Sequence, residues 1–176
     1  MTAPASPDLN QWIRDIPDFP KPGIQFKDIT PLLSHPEAFG SVIDRLAAQC
    51  AGKSIGTIAA AEARGFIFGA PLALRLGAAF VPIRKPGKLP YATVATEYSL
   101  EYGTDRLEVH TDAFAPGDRV LLVDDVLATG GTMRACCDLV AQSGAILVGC
   151  AFVLELTFLG GRARLAPFEV TSLIAY

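Results

Sequence analysis

The run VLLVDDVLATGGT at 120–132 restricts the fold more than any other part of the chain. Val120, Leu121, Leu122 and Val123 are successive apolar residues, as in a strand buried on both faces within a helix-covered parallel sheet. Asp124 and Asp125 then fall at the strand's carboxyl end, the side on which open α/β sheets bind ligands. Ala128, Thr129, Gly130, Gly131 and Thr132 allow a tight turn whose backbone N–H groups converge on an anion, with two hydroxyls and a helix N-terminus adding donors. Acids suited to hydroxyl groups beside a turn suited to phosphate predict a site for a phosphorylated sugar.

The following helix checks against its own pattern, since Met133, Cys136, Cys137 and Val140 form one apolar stripe and Ser143 with Gly144 supplies a stop. Taken singly, an Asp-Asp pair is more often a solvated loop or a cap, and a Gly-Gly pair simply a turn. Their union in one strand–turn–helix unit favours a site. Neither G-x-x-x-x-G-K-[ST] nor G-x-G-x-x-G occurs, which argues against nucleoside triphosphate and dinucleotide sites.

The rest of the chain alternates in the same way, predicting a single α/β domain over 1–176 with a central, mostly parallel sheet flanked by helices. A helix is expected over 36–50, with Ser34 and Glu37 as a capping box and Phe39, Val42, Ile43, Leu46, Ala47 and Cys50 on its apolar face. Strand 55–61, helix 66–76 ended by Gly77, strand 79–83 and strands near 119–125 and 145–154 complete the sheet. Residues 1–33, with Pro4, Pro7, Pro17, Pro20, Pro22 and Pro31, fall outside the alternation and read as a hood over a core of 34–176.

Composition narrows the function. With 176 residues, 51% hydrophobic and 19% charged, the chain is long enough for one substantial core. A net charge of −3 argues against a nucleic-acid surface. The longest apolar run, 145–154, is too short to span a bilayer, and MTAPASPDLN has no signal-peptide pattern. Cys50, Cys136, Cys137 and Cys150 lack metal-ligand spacing and read as reduced core thiols. The expectation is a cytoplasmic protein acting on small molecules, with neither nucleic-acid nor membrane partners.

Two more loops carry candidate chemistry. Ala63 and Arg64 follow a strand and precede a helix, so backbone donors and the guanidinium fork could clasp a diphosphate, although Arg64 reads equally well as a surface arginine. Arg84, Lys85 and Lys88 gather around Pro86 and Gly87 as a basic turn, either solvated or offsetting an anionic leaving group. Residues 93–101 alternate as an antiparallel ribbon, which by pattern alone puts Glu101 toward solvent.

VLLVDDVLATGGT resembles the 5-phosphoribosyl-1-diphosphate (PRPP) motif of the type I phosphoribosyltransferases. FPKPGIQFKDIT at 19–30, EARGFIFG at 62–69, IRKPGKLP at 83–90, YSLEYG at 98–103 and LELTFLGGR at 154–162 resemble, in order, blocks of its adenine-using members. The resemblance covers about residue 19 to the C-terminus. It implies the type I phosphoribosyltransferase fold and transfer of the 5-phosphoribosyl group from PRPP to adenine, giving AMP and diphosphate.

It also implies roles. Asp124 and Asp125 bind the ribose hydroxyls, the 128–132 turn holds the 5-phosphate, and Ala63 and Arg64 form the diphosphate loop, joined by Arg84, Lys85 and Lys88. Glu101 meets N7 of the base and Tyr102 seals the site, both on a mobile loop of about 90–105. Gln25, Phe26 and Lys27 receive adenine, with Phe26 alternatively a core anchor of the hood. Mg²⁺ is expected on the substrate without direct protein ligands, and the chain as a homodimer in which Arg84 reaches the neighbouring site. Ala63 stands where some members have Ser, and Lys27 where many have Arg, replacing a fork with a point charge. The alternatives are a transferase for another base, such as xanthine, guanine or orotate, and a non-catalytic PRPP sensor.

Overall fold

The structure, a computed structural model, describes residues 7–99 and 104–176. It divides into two compact units with the boundary between Arg45 and Leu46, whereas the sequence pattern places the hood's end at 33.

The first unit opens with a 3-10 turn, Leu9–Trp12, capped by Asp8, which accepts from Asn10 N at 3.0 Å. Strand β1 (Arg14–Ile16) pairs antiparallel with β2 (Phe26–Asp28), Ile16 opposite Phe26. Helix α1 (Thr30–Leu33) leads to α2 (Pro36–Gln49), which continues past the unit boundary. The expected capping box gives way to a different cap. Ser34 Oγ turns back to donate to the Thr30 carbonyl at 2.9 Å, and His35 Nδ1 accepts from Ala38 N at 3.3 Å. His35 also stacks on Trp12, centroids 3.8 Å apart, so the ring that caps α2 is packed in place. The buried stripe of α2 runs through Ala38, Val42, Ile43 and Leu46 rather than beginning at Phe39.

The second unit holds a five-stranded parallel sheet. Strands β3 (Thr57–Ala61) and β4 (Ala79–Ile83) are joined by α3 (Gly65–Leu76). Next come β5 (Thr93–Ser99) and β6 (Thr104–His110), an antiparallel ribbon separate from the sheet. Then follow β7 (Arg119–Leu127), α4 (Gly131–Gln142), β8 (Ile146–Glu155), a 3-10 turn (Thr157–Leu159), α5 (Gly161–Arg164) and β9 (Val170–Ala175). The sheet order is β4-β3-β7-β8-β9. All of β3 and Val120 to Val123 of β7 are buried, which is why the central strands read as apolar runs rather than alternations.

The structure departs from the sequence reading in two places that matter. Strand β7 continues to Leu127, so Asp124 and Asp125 lie inside its second half: Asp124 pairs with Phe152 and Leu127 with Glu155 of β8. Backbone pairing carries the strand through two charges that end its apolar run. Strand β9 extends the sheet beyond the strands expected from sequence. It pairs with β8 alone, and with Thr171 and Ser172 between buried Val170 and Ile174 it has no continuous apolar run.

Small residues set the spacing of α3 on the sheet. A Cβ on Gly69 would lie 2.9 Å from Ala60 Cβ and 2.9 Å from Phe80 Cε2, so only glycine lets the helix approach this closely. All four cysteines are free and buried, with Cys137 Sγ 3.7 Å from Cys150 Sγ. Among the described residues no helix is long and apolar enough to cross a membrane.

Candidate active site

The end of β7 gathers two carboxylates under the first turn of α3. Asp125 is 3% exposed, and its backbone N–H donates to Asp124 Oδ1 at 2.9 Å. Burial first, and then the charge of Asp125, push the Asp124 carboxyl well above its ordinary range. Arg64 Nε lies 2.5 Å from Asp125 Oδ2, yet that buried oxygen accepts no hydrogen bond. Gly65 makes the arrangement possible: a Cβ there would sit 3.0 Å from Asp124 Oδ1 and 3.1 Å from the Val123 carbonyl oxygen. Glycine at 65 is thus a packing requirement of the acidic pair.

Beyond β7 the chain turns into α4. Gly130 adopts a left-handed conformation with φ of 78°, and no side chain caps the helix. Its first N–H groups therefore point out of the turn without a side-chain acceptor, the arrangement that receives anions. Thr129 is exposed and Thr132 half-buried, the latter hydrogen-bonded to the Tyr98 phenol. Helix α4 begins at Gly131, so the anion turn and the helix overlap.

Glu62, which the sequence reading passed over, joins the other two loops. Its Oε2 accepts from Arg84 Nη2 at 2.8 Å and Nε at 3.2 Å, and its Oε1 accepts from Lys85 N at 2.5 Å. Burial works to raise its pKa, but these donors outweigh it and hold the carboxyl below its ordinary range. Arg84 Nη1 also donates to the Lys88 carbonyl at 3.3 Å. Lys85 Nζ lies 3.2 Å from Asp105 Oδ2, which raises the lysine's pKa. The signal for Glu62 was its place beside Ala63 and Arg64. The peptide between Glu62 and Ala63 is cis.

In the first unit, Phe26 and Lys27 lie on β2 with Gln25 exposed just before it. Phe26 meets Phe19 edge-on, centroids 5.2 Å apart, and Lys27 Nζ is 2.5 Å from Asp15 Oδ1. Glu101 and Tyr102 lie outside the described residues. The structure thus brings together Ala63, Arg64, Asp124 and Asp125 around β7, and Arg84, Lys85 and Lys88 on the turn that Glu62 ties to their loop.

The profile of the Phosphoribosyl transferase domain matches residues 32–165. An adenine phosphoribosyltransferase of Roseiflexus sp. is 59% identical over 169 residues, 96% of this chain and 98% of that one. The crystal structure of adenine phosphoribosyltransferase from Thermoanaerobacter pseudethanolicus superposes with a TM-score of 0.93 at 55% identity, covering 96% of this chain and 98% of the other. That from Saccharomyces cerevisiae, complexed with an imino-altritol bisphosphate and adenine, gives 0.89 at 41% identity, covering 94% and 96%. The chain belongs to the phosphoribosyltransferase family, among its adenine phosphoribosyltransferases.

Proposed function

We infer that the end of β7 is where this chain transfers the 5-phosphoribosyl group from PRPP to adenine, giving AMP and diphosphate. The observation that carries the reading is one strand–turn–helix unit holding two adjacent carboxylates, one of them paired with Arg64, and an uncapped helix N-terminus. Asp124 and Asp125 accept from the ribose hydroxyls, and their charge favours the positive character that the sugar gains as diphosphate departs. The N–H groups of the 128–132 turn and the hydroxyls of Thr129 and Thr132 hold the 5-phosphate. Ala63, through its backbone, and Arg64 receive the diphosphate, with Lys85 and Lys88 adding charge. Arg84 fixes the basic turn through Glu62, and reaching a neighbouring site requires exchange of that pair.

Adenine stacks on Phe26, with the Gln25 backbone reading its amino group and Lys27 nearby. Glu101 takes the proton that must leave the ring as N9 attacks, and Tyr102 closes the site against water. Two carboxylates, Asp124 and Asp125, are too few for an all-protein Mg²⁺ cage, so the ion would ride on the substrate's diphosphate and hydroxyls and keep much of its water. When bound, it neutralises diphosphate charge.

The exposed apolar residues of α3, Ile67 at 36% and Leu74 at 85%, support a homodimer, since a second copy would cover them. Four unpaired buried thiols support a reducing, cytoplasmic setting.

Incubating the protein with PRPP, Mg²⁺ and one base at a time tests the reading: AMP forms from adenine, with hypoxanthine and guanine poor. Product from hypoxanthine but not adenine overturns the base assignment, and no product with any base favours a PRPP sensor. Glu101→Ala should lower kcat by about 10²- to 10⁴-fold, the range for a lost general base. An unchanged kcat at saturating substrate would return Glu101 to the solvent face of the ribbon.

A further inference from the structure

Gly161 stands where a side chain has no room. A Cβ there would lie 2.2 Å from the Ala128 carbonyl oxygen and 2.9 Å from Leu127 Cδ1. From the opposite side, a Cβ on Gly130 would lie 2.8 Å from the Gly161 carbonyl oxygen. The start of α5 and the 128–132 turn therefore meet backbone to backbone, and any movement of one displaces the other.

Arg162, the next residue, holds α5 in place. Its Nε donates to Glu155 Oε1 at 3.0 Å, its Nη2 to Glu155 Oε2 at 2.5 Å, and its Nη1 to the Val170 carbonyl at 2.6 Å. Ser172 Oγ adds a bond to Glu155 Oε2 at 2.8 Å. Leu156 N donates to the Leu127 carbonyl at 2.9 Å, joining the end of β8 to the residue just before the turn. A planar fork bound at both oxygens fixes direction as well as distance. The chain from Glu155 to Arg162 is thus anchored at both ends, with Gly161 pressed on the turn.

We propose that Gly161 and the Glu155–Arg162 pair are positioning residues for the 5-phosphate: they fix the shape in which the N–H groups of the 128–132 turn converge. The proposal rests on reading that turn as the phosphate site, and it assigns a task to the LELTFLGGR segment at 154–162. Gly161 acts through the turn and Arg162 through Gly161, so the effect belongs in KM for PRPP and not in KM for adenine.

The test compares Gly161→Ala, Arg162→Lys and Thr132→Ala, measuring KM for each substrate and the thermal protection given by ribose 5-phosphate, which carries neither diphosphate nor base. Gly161→Ala is expected to raise KM for PRPP by about tenfold or more and to abolish protection, because sub-ångström misplacement of a binding group is costly, while KM for adenine stays within about twofold. Arg162→Lys, retaining charge but losing the fork, should raise KM for PRPP by about threefold. If Thr132→Ala raises KM for PRPP and Gly161→Ala does not, the positioning role is wrong and the phosphate site stands. If neither variant raises it, both readings fall. Should Gly161→Ala not fold, Arg162→Lys decides alone: an unchanged ratio of the two KM values, or equal rises in both, overturns the proposal.

Discussion

The ends of β7 and β8 are neighbours in the sheet, and each carries a carboxylate that is 3% exposed, Asp125 on one and Glu155 on the other. Each has an arginine nitrogen 2.5 Å from one oxygen, Arg64 Nε on Asp125 and Arg162 Nη2 on Glu155, but the rest of their surroundings differs. Glu155 takes both arms of Arg162 and the Ser172 hydroxyl, and these hydrogen bonds, the arginine's above all, hold it below its ordinary range. Asp125 Oδ2 meets Arg64 Nε alone, and its neighbour Asp124 is pushed up rather than down. Burial alone therefore does not mark a site. What distinguishes the two ends is how the buried charge is met: by a two-armed guanidinium and a hydroxyl at Glu155, and by a single arginine nitrogen beside a second carboxylate at Asp125.

The largest expected contrast is in turnover. Asp124→Asn and Asp125→Asn should each lower kcat/KM by about 10²-fold or more, comparable to losing one group that stabilises transition-state charge. Asp124→Asn should meanwhile raise the melting temperature, since it removes a half-buried charge held against that of Asp125; a variant both inactive and less stable would make Asp124 a structural residue like Glu155. The converse change, Glu155→Gln, should cost about 2 kcal/mol in denaturant unfolding, less than a fully buried pair because Arg162 is half exposed. Its effect on activity should be confined to KM for PRPP.

The smallest effect is the pH dependence of these stability differences. The folded pKa of Asp124 lies above its ordinary 3.8, so the native state binds the extra proton and its burial penalty grows as pH rises through that shifted value. The gain from Asp124→Asn should be full above that shifted value and vanish below about pH 3.8. Glu155 has the opposite sign: its folded pKa lies below 4.5, so its stabilisation is present above that pH and is lost as pH falls through the depressed value. Melting the two variants beside the parent from pH 3 to 8 should show differences of opposite sign that both shrink toward acid; a Glu155→Gln deficit that persists at the acid end would assign it to packing instead of charge.

The same contrast explains what could be read from the sequence. Asp124 and Asp125 were legible because they interrupt an apolar run and precede a small-residue turn, a pattern set by local chemistry. Glu155 also ends an apolar run, but its partner stands seven residues on in Arg162, across a 3-10 turn, and its other support comes from Ser172 on a strand with no clear periodicity. Glu62 was missed for the same reason, as its partners Arg84 and Lys85 reach it only through the pairing of β3 with β4. Gly65 and Gly161 were visible as glycines, but their necessity depends on Asp124 and Ala128, contacts that only the folded sheet creates. Strands and helices that repeat locally declared themselves. Partners brought together by the sheet did not.

The burial of all four thiols has a practical consequence. Cys50 and Cys136 are held in their protonated form by burial, and Cys150 chiefly by its hydrogen bond with Cys137, so these three offer no ready thiolate to an alkylating reagent, and Cys137 is fully buried. A cysteine introduced at an exposed position such as Thr129 would be the one reactive sulfur on the chain, and a fluorophore or spin label could be attached beside the phosphate turn without first removing any native residue.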